Sequence, residues 1–571
     1  MCGPGNSEGA RAGKKEMAGV ERIPDDEWRL DEEPLERLEP EPPAAAPTAK
    51  LAFNLSHARL TRPVYVVTAE HLGWYLIASY ALIMRTIALG ARPLDLPQAR
   101  DAIAAYLVAQ HGRAAFALSD VSWVTILQGW IFAAIGASDA TSRIVVTLCA
   151  LLMIAVAFAL RPVLGRAGAL AFAALIATSP SVGYFSGAGS TAIASLTFMM
   201  VAIAIAESMR RRHTVIRAAE LGVAIALWLS ADPIGYVTAA AVAVSLICVG
   251  VVVAARSNHR RLRLRVWWVR RRALVIVCAV VAIGLWIVLI TAFFHRPLVT
   301  SVEYNLNAAF APPMIAWQHA LHRIIPVLAF YEFIVVALAI VGAIAIVSRS
   351  IGDRFAAWSI VWAIVSLAIF GSVSANRPDA VVAIVLPLAL VGAYAVDWIH
   401  GTERWSSIRY VIAAALALTL YVQIATNFVF PVPDPSEAAW RRHALLFWSV
   451  PTTTARTVKE CERARNAVPP DATAIIDDDA PQAQWYLRDL TQTASPDDAN
   501  IVVKIDPPEN GALAGNPDVP QFGFEEWWTP DFRSLTITSA LKYFFTQRAW
   551  SEVEIRDLEI KVSKPNKEPN P

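Results

Sequence analysis

The chain has 571 residues, 56% of them hydrophobic and 17% charged, with a mean hydropathy of +0.45. An average soluble domain is about a quarter charged, so this composition excludes an ordinary soluble protein, and a net charge of +2 gives no electrostatic footprint for nucleic acid. Among the five cysteines, Cys149, Cys248 and Cys278 lie within apolar runs, Cys461 in the polar C-terminal part and Cys2 at the start, and no spacing suggests a metal site or a disulfide framework.

The first 50 residues carry twelve acidic and seven basic residues and end in EPEPPAAAPTAK. Such a segment buries too little apolar surface to offset its ordering entropy. Residues 1–55 therefore read as a disordered, acidic and proline-rich cytoplasmic tail, and no cleavable signal peptide precedes the first span.

From 56 to 430, apolar runs alternate with arginine-bearing connections. Since about 20 helical residues cross a bilayer core, eleven spans are expected, at 72–90, 142–160, 167–184, 190–209, 218–231, 236–255, 273–294, 326–348, 355–374, 379–398 and 410–430. The segment 121–136, VSWVTILQGWIFAAIG, is apolar but short and aromatic, and is expected as an interfacial or partly inserted helix. With the N-terminus inside, the inner connections hold eighteen arginines and the outer ones six. The positive-inside rule then places the N-terminus in the cytoplasm and everything after 431 outside.

Residues 431–571 are different material. ATAIID, ANIVVKI and DLEIKVS read as strands, and TTARTVKECERARNA and LTITSALKYFFTQRAW as helices. Their alternation predicts a small external α/β domain of about 130 residues, without a phosphate-cradling glycine loop or a nucleophile elbow. Trp485, Tyr486, Arg488 and EEWW at 525–528 are its expected contact residues toward an acceptor, with packing of the domain core as the alternative for Trp485.

Polar residues at membrane depth are costly and each asks for a reason. Arg85, near the outer end of the first span, either serves a site or snorkels to the headgroups. Asp232, beside Pro233 at the outer end of the fifth span, is a site residue or a helix-boundary residue. In the outer loop before the eighth span, His319 and Arg323 are four apart and share a helix face, with Trp317 and His322 flanking them. A cationic face among aromatic groups suits an anionic lipid phosphate, or is an interfacial belt of Trp, Tyr and Arg.

The order of these elements resembles the C-type membrane glycosyltransferase (GT-C) superfamily, and most specifically its flippase activity-associated family. ALGARPL resembles that family's first outer loop. IGASDATSRI and LGRAGALAFAALIATSPSVGYFS resemble its second and third spans, WQHALHRIIPVLAFYEF its Trp-x-Gln-His segment, and WYLRDL and YFFTQRAW its outer C-terminal domain. The resemblance implies a polytopic α-helical GT-C-like membrane domain at 56–430 and an external α/β domain at 431–571, in the plasma (inner) membrane. It also implies work on a cell-envelope glycan.

The same resemblance exposes departures. The superfamily carries an acidic residue, often an Asp-Glu pair, in the first outer loop, where it deprotonates the acceptor or helps bind a divalent metal. In this register the pair falls on Pro97 and Gln98, neither of which can act as a base. The loop after the third span reads SGAGSTA, without charge. The late Gly-Glu-Lys-x-Pro-Trp segment reads SANRPDA, keeping Arg377 and Pro378, and the Lys-Glu at the fifth span reads Ala231-Asp232.

Two functions follow from the resemblance. One is a glycosyltransferase with a polyprenyl-phosphate sugar donor, inverting at the anomeric carbon, in which Arg323, His319 and Arg377 hold the phosphate. Its base is Asp95 or Asp101, with Asp120 and Asp232 as the other carboxylates within reach. The other is a non-catalytic relative that binds lipid-linked sugar or scaffolds other glycan-assembly membrane proteins. A transporter fits less well, because no internal repeat is evident.

Overall fold

The computed structural model describes residues 68–87, 89–117, 121–255, 260–310, 317–348, 354–373, 377–401, 408–424, 452–453, 455–469, 471–492, 499–505, 521–527, 533–546, 550 and 554–562. The expected tail at 1–55 lies outside them. Every expected span overlaps a helix, and residues 425–430 of the last lie outside the described residues. Among the described residues, seven helices are long and apolar enough to cross a membrane: α4 (Ile144–Ala159), α5 (Arg161–Thr178), α7 (Thr191–Met209), α9 (Ile234–Ala255), α10 (Arg260–Ile290), α14 (Arg354–Val373) and α15 (Ala380–His400). The pair α12 (Trp317–Phe330) and α13 (Phe333–Ser348) makes an eighth if counted as one span, bent by 93°. Three further expected spans are the helices α1 (Ala69–Thr86), α8 (Val215–Ala231) and α16 (Ile408–Ile424), which do not combine that length with that hydropathy. The chain is a multi-pass α-helical membrane protein.

Three expected boundaries differ. The span at 167–184 stops at Thr178, because Pro180 lacks the N–H that would continue the helix. Ser179 instead caps a separate helix α6 (Pro180–Gly187), its hydroxyl accepting from the Val182 N–H at 3.2 Å. The span at 326–348 breaks at Tyr331–Glu332. The connection RSNHRRLRLRVWWVRRR is helical from Arg260, so α10 has 31 residues and exceeds a bilayer core of about 30 Å.

At the centre, α15 packs against α5, α13 and α14. A Cβ at Gly342 of α13 would collide with the Val391 carbonyl oxygen, so the absence of a side chain sets how closely α13 and α15 approach. Two short helices lie between the first spans. Helix α2 (Leu96–His111) starts at the Asp95 N-cap with Pro97 in its first turn. Helix α3 (Trp123–Ile135), at the expected interfacial position, starts in a Ser122–Thr125 capping box. They pack through Gly129, whose added Cβ would lie 2.7 Å from Val108 Cγ1. After α10, Ala292, Phe293 and Phe294 take φ of 45°, 57° and 66°, a left-handed turn leading to α11 (Leu298–Phe310).

The C-terminal part holds a mixed sheet in the order β1-β5-β6-β4-β2-β3. Its strands are β1 (Thr452–Thr453), β2 (Thr473–Ile476), β3 (Thr491–Gln492), β4 (Ile501–Ile505), β5 (Gln521–Trp527) and β6 (Glu554–Val562). Strands β2, β3 and β4 are parallel and the other pairs antiparallel. The helices are α17 (Ala455–Asn466), α18 (Pro481–Tyr486) and α19 (Ile537–Thr546). Alternation in IVVKI buries Ile501, Val503 and Ile505. Burial, with Glu460 and Glu462 beside it, pushes the Cys461 thiol up to about 12, which leaves it unreactive.

Candidate functional site

A cavity of about 360 Å³ opens where helix ends converge: the start of α2, the α6–α7 junction, the α8–α9 turn, the end of α10, α11 and the entry to α15. Asp95, Asp101, Asp232 and Asp379 line it, with Arg100, Arg296 and Arg377.

Asp95 is 1% exposed, and its carboxylate is occupied. Oδ2 accepts from Arg92 Nη2 at 3.0 Å and Gln98 Nε2 at 3.2 Å, and Oδ1 from the Thr453 N–H at 3.3 Å. The Thr453 hydroxyl donates to the Leu94 carbonyl at 2.7 Å, so strand β1 is tied to the loop at both residues. Arg92 is itself bonded to the Tyr184 hydroxyl and lies 4.1 Å from the centre of that ring. Gln98 accepts from Arg143 Nη2 at 3.2 Å. The loop is thus a knot of buried polar bonds.

Asp101, one turn further along α2, is half-buried and faces the cavity. Beside it is a void of about 20 Å³ lined also by Thr125, Gln128, Arg143 and Thr191, room for a single water. Arg100 is exposed in the lining and has no hydrogen-bond or ion-pair partner among the described residues. Arg296 spends donors on the Phe116 and Val121 carbonyls, at 2.9 and 2.5 Å.

Arg377 joins three elements. Its Nη1 and Nη2 reach the two oxygens of Asp232, at 2.7 and 3.0 Å. Nη2 and Nε reach Asp379, at 3.0 and 3.3 Å. Asp232 also accepts from the Thr191 hydroxyl at 2.6 Å and the Ile234 N–H at 2.8 Å, and Asp379 from the Ser190 hydroxyl at 2.9 Å. Burial works to raise the Asp232 carboxyl, but Arg377 and these hydrogen bonds outweigh it and hold the group below the ordinary range. Burial would lower Arg377, and the two aspartates keep it protonated instead. Its charge is therefore already balanced within the protein, twice over.

The other expected residues sit as follows. Arg85 does not snorkel: it is 3% exposed, donates to the Ile176 carbonyl at 3.4 Å, and leaves Nε and Nη1 without partners among the described residues. Trp317, His319 and Arg323 belong to α12, but their side chains, like Asp120, lie outside the described residues. Glu332, at the α12–α13 bend, is buried and accepts from the Ser179 hydroxyl at 2.6 Å and the Ser181 N–H at 3.0 Å.

Trp485, Tyr486 and Arg488 contact the membrane domain and do not face the cavity. Trp485 Nε1 and the Tyr486 hydroxyl donate to Asp139 at 2.7 and 3.0 Å, and Arg488 donates to the Ala137 carbonyl at 2.9 Å. Trp485 is fully buried against Leu94, Ala99 and Phe132, so its burial comes from docking, not from the core of its own domain. The side chains of EEWW lie outside the described residues.

A divalent metal does not fit the described residues. Asp232 and Asp379 are both bonded to Arg377, and no group of three His, Cys, Asp or Glu gathers anywhere among the described residues. Sequence reasoning passed over Asp379, Arg100 and Arg296 in the lining. Asp379 stood beside the noted Arg377, and only the fold, which brings the α8–α9 turn to the start of α15, reveals that Asp232 and Asp379 share that arginine.

No protein-family model and no curated protein matches the chain. Solved structures do. ArnT from Cupriavidus metallidurans bound to undecaprenyl phosphate superposes with a TM-score of 0.50 at 15% identity, over 86% of this chain and 98% of that one. Its apo state gives the same values. The Archaeoglobus fulgidus oligosaccharyltransferase in the apo form reaches a TM-score of 0.49 at 12% identity, over 76% of this chain and 69% of that one. The chain has a GT-C-like fold. Within this GT-C-like fold, the cavity is walled by helix ends whose charges are mostly paired with one another.

Proposed function

We propose that this cavity binds a polyprenyl-phosphate-linked sugar and that the protein transfers the sugar to an acceptor on the outer face of the plasma membrane. Arg100 and Asp101 carry the reading: an unpartnered cation among the described residues and a carboxylate, adjacent on α2 and both in the lining. The acceptor hydroxyl attacks the anomeric carbon, inverting it, and the bond from that carbon to the phosphate oxygen breaks. Polyprenyl phosphate leaves, and Asp101 takes the hydroxyl proton. Arg100 and Arg296 stabilise the phosphate as it departs, and His319 and Arg323 of α12, with Trp317, are further ligands for it. Arg377, Asp232 and Asp379 fix the cavity wall. Asp95 fixes the loop and does not act as base. Undecaprenyl phosphate bound to the similarly folded ArnT supports a lipid phosphate ligand.

The motifs quoted above support reading the chain as a member of the flippase activity-associated family, and the arginine asymmetry supports an N-terminus in the cytoplasm with the sheet region outside. Other glycan-assembly membrane proteins are its expected partners. A second reading is a non-catalytic binder of lipid-linked sugar. The commitment of Asp95 and Asp232 to internal arginines favours it, since both carboxylates then serve structure.

The test reconstitutes the protein in nanodiscs with radiolabelled polyprenyl-phosphate sugar and an envelope-glycan extract as acceptor. Label moving into glycan supports transfer. Donor bound by native mass spectrometry, with no label moved, supports the binder. Neither binding nor transfer refutes both.

A further inference from the structure

We infer that helix α19 is an amphipathic foot by which the C-terminal part rests in the lipid headgroup layer beside the cavity face. Ile537, Leu541 and Phe545, spaced by four and so aligned on one side of the helix, are 83%, 55% and 55% exposed. The helix is fastened to the ends of the membrane helices through Tyr543 on its opposite side and through Phe544 and Phe545 at its last turn. Tyr543 is 3% exposed, with its ring 5.6 Å from that of Phe330 and its hydroxyl bonded to that of Tyr331. Phe544 lies 6.0 Å from Phe333, and Tyr421 donates to the Phe545 carbonyl at 2.8 Å. The first turn is closed by reciprocal Thr536–Ser539 bonds of 2.8 and 3.1 Å, so the stripe is held in a formed helix.

Lipid is the occupant because of what the stripe adjoins. At Phe545 it adjoins Tyr421, whose ring is 6.4 Å away, on the bare apolar side of α16 that also carries Leu418 and Ile424. Helix α13, whose first residue meets Phe544, bares Ile340 and Ile344 further along. In a membrane protein those sides face acyl chains. Helix α19 meets α13 at its first residue and α16 near its last turn, so it lies at the ends of these helices, the depth of the headgroup boundary. The one-sided apolar stripe is the feature it shares with helices that lie in the plane of that boundary, and Lys542 is its one charge.

The test attaches a nitroxide at Leu541→Cys in a chain whose native cysteines are replaced. A second label, at Lys459→Cys on the exposed side of α17, is the aqueous control. The protein is placed in phosphatidylethanolamine–phosphatidylglycerol vesicles and its collisions with oxygen and with a water-soluble nickel chelate are measured. The oxygen-to-nickel collision ratio is expected several-fold higher at 541 than at 459. Equal ratios overturn the inference, since the stripe would then face water. Protection from both reagents also overturns it, placing a second copy of the chain on the stripe. If the cysteine-free chain does not fold, benzoylphenylalanine in place of Leu541 in the native chain gives the same decision. Photo-adducts to lipid support the inference, and adducts to polypeptide alone, or to neither, refute it.

Discussion

Arg377→Met removes a cation and leaves its two partners in place. The wild-type guanidinium makes four contacts of 2.7 to 3.3 Å with two carboxylates, whose side chains are only 4% and 13% exposed. Methionine fills much of the volume, so the loss is chiefly electrostatic. Breaking a buried pair by removing one partner costs about 3–5 kcal/mol. Asp232 keeps its bonds from Thr191 and Ile234, and Asp379 its bond from Ser190, which places the expected loss near the lower end, about 3 kcal/mol. That is roughly two decades in the folding equilibrium. Equilibrium unfolding in mixed micelles of sodium dodecyl sulfate and dodecylmaltoside reads it. Adding Asp232→Asn and Asp379→Asn to the Met variant should return a large part of the loss, because the stranded charges go. The pH dependence has a definite sign. The Asp232 carboxyl is held below its ordinary value in the folded state, so its contribution is complete above the ordinary carboxylate range. It is lost as the pH falls through the lower, folded value. A Met variant as stable as wild type at neutral pH refutes the ion cluster.

Three further outcomes are expected. Asp139→Ala strips the acceptor from the Trp485 indole and the Tyr486 hydroxyl; at about 1.5–3 kcal/mol per charged hydrogen bond, residues 481–488 should exchange amide hydrogens faster while the central spans do not. Gly342→Ala drives a methyl against the Val391 carbonyl and should cost about 3 kcal/mol, read as a lowered unfolding midpoint. A periplasmic reporter fused after the last residue should be active and a cytoplasmic one silent, as the arginine asymmetry requires.

The helices were legible because most apolar runs are long enough to cross a bilayer and the inner connections between them carry arginines. The strands at 473–476, 501–505 and 554–562 were legible from alternation, whereas β5 was not, because QFGFEEW mixes acids with aromatics. The breaks at Ser179 and Tyr331–Glu332 hide inside continuous apolar runs, where hydropathy carries no signal. Of the candidate cavity's lining, Asp95, Asp101, Asp232 and Arg377 stood out in the sequence. Their roles were not, because those depend on partners far along the chain. Asp95 meets Thr453 and Arg377 meets Asp232, separations of 358 and 145 residues. A charged residue looks the same in sequence whether it faces a ligand or an internal counter-charge.

The most direct measurement compares Asp101→Asn with Asp95→Asn in the nanodisc transfer assay, each scaled to its folded fraction. Loss of a general base typically costs about a hundred- to ten-thousandfold, and that loss is expected at Asp101 alone. Asp95→Asn should lower stability while keeping turnover per folded molecule within about tenfold of wild type, since its carboxylate serves the loop. Full turnover in Asp101→Asn with a lost rate in Asp95→Asn would contradict the assignment of the base and return it to the first residue of the loop knot.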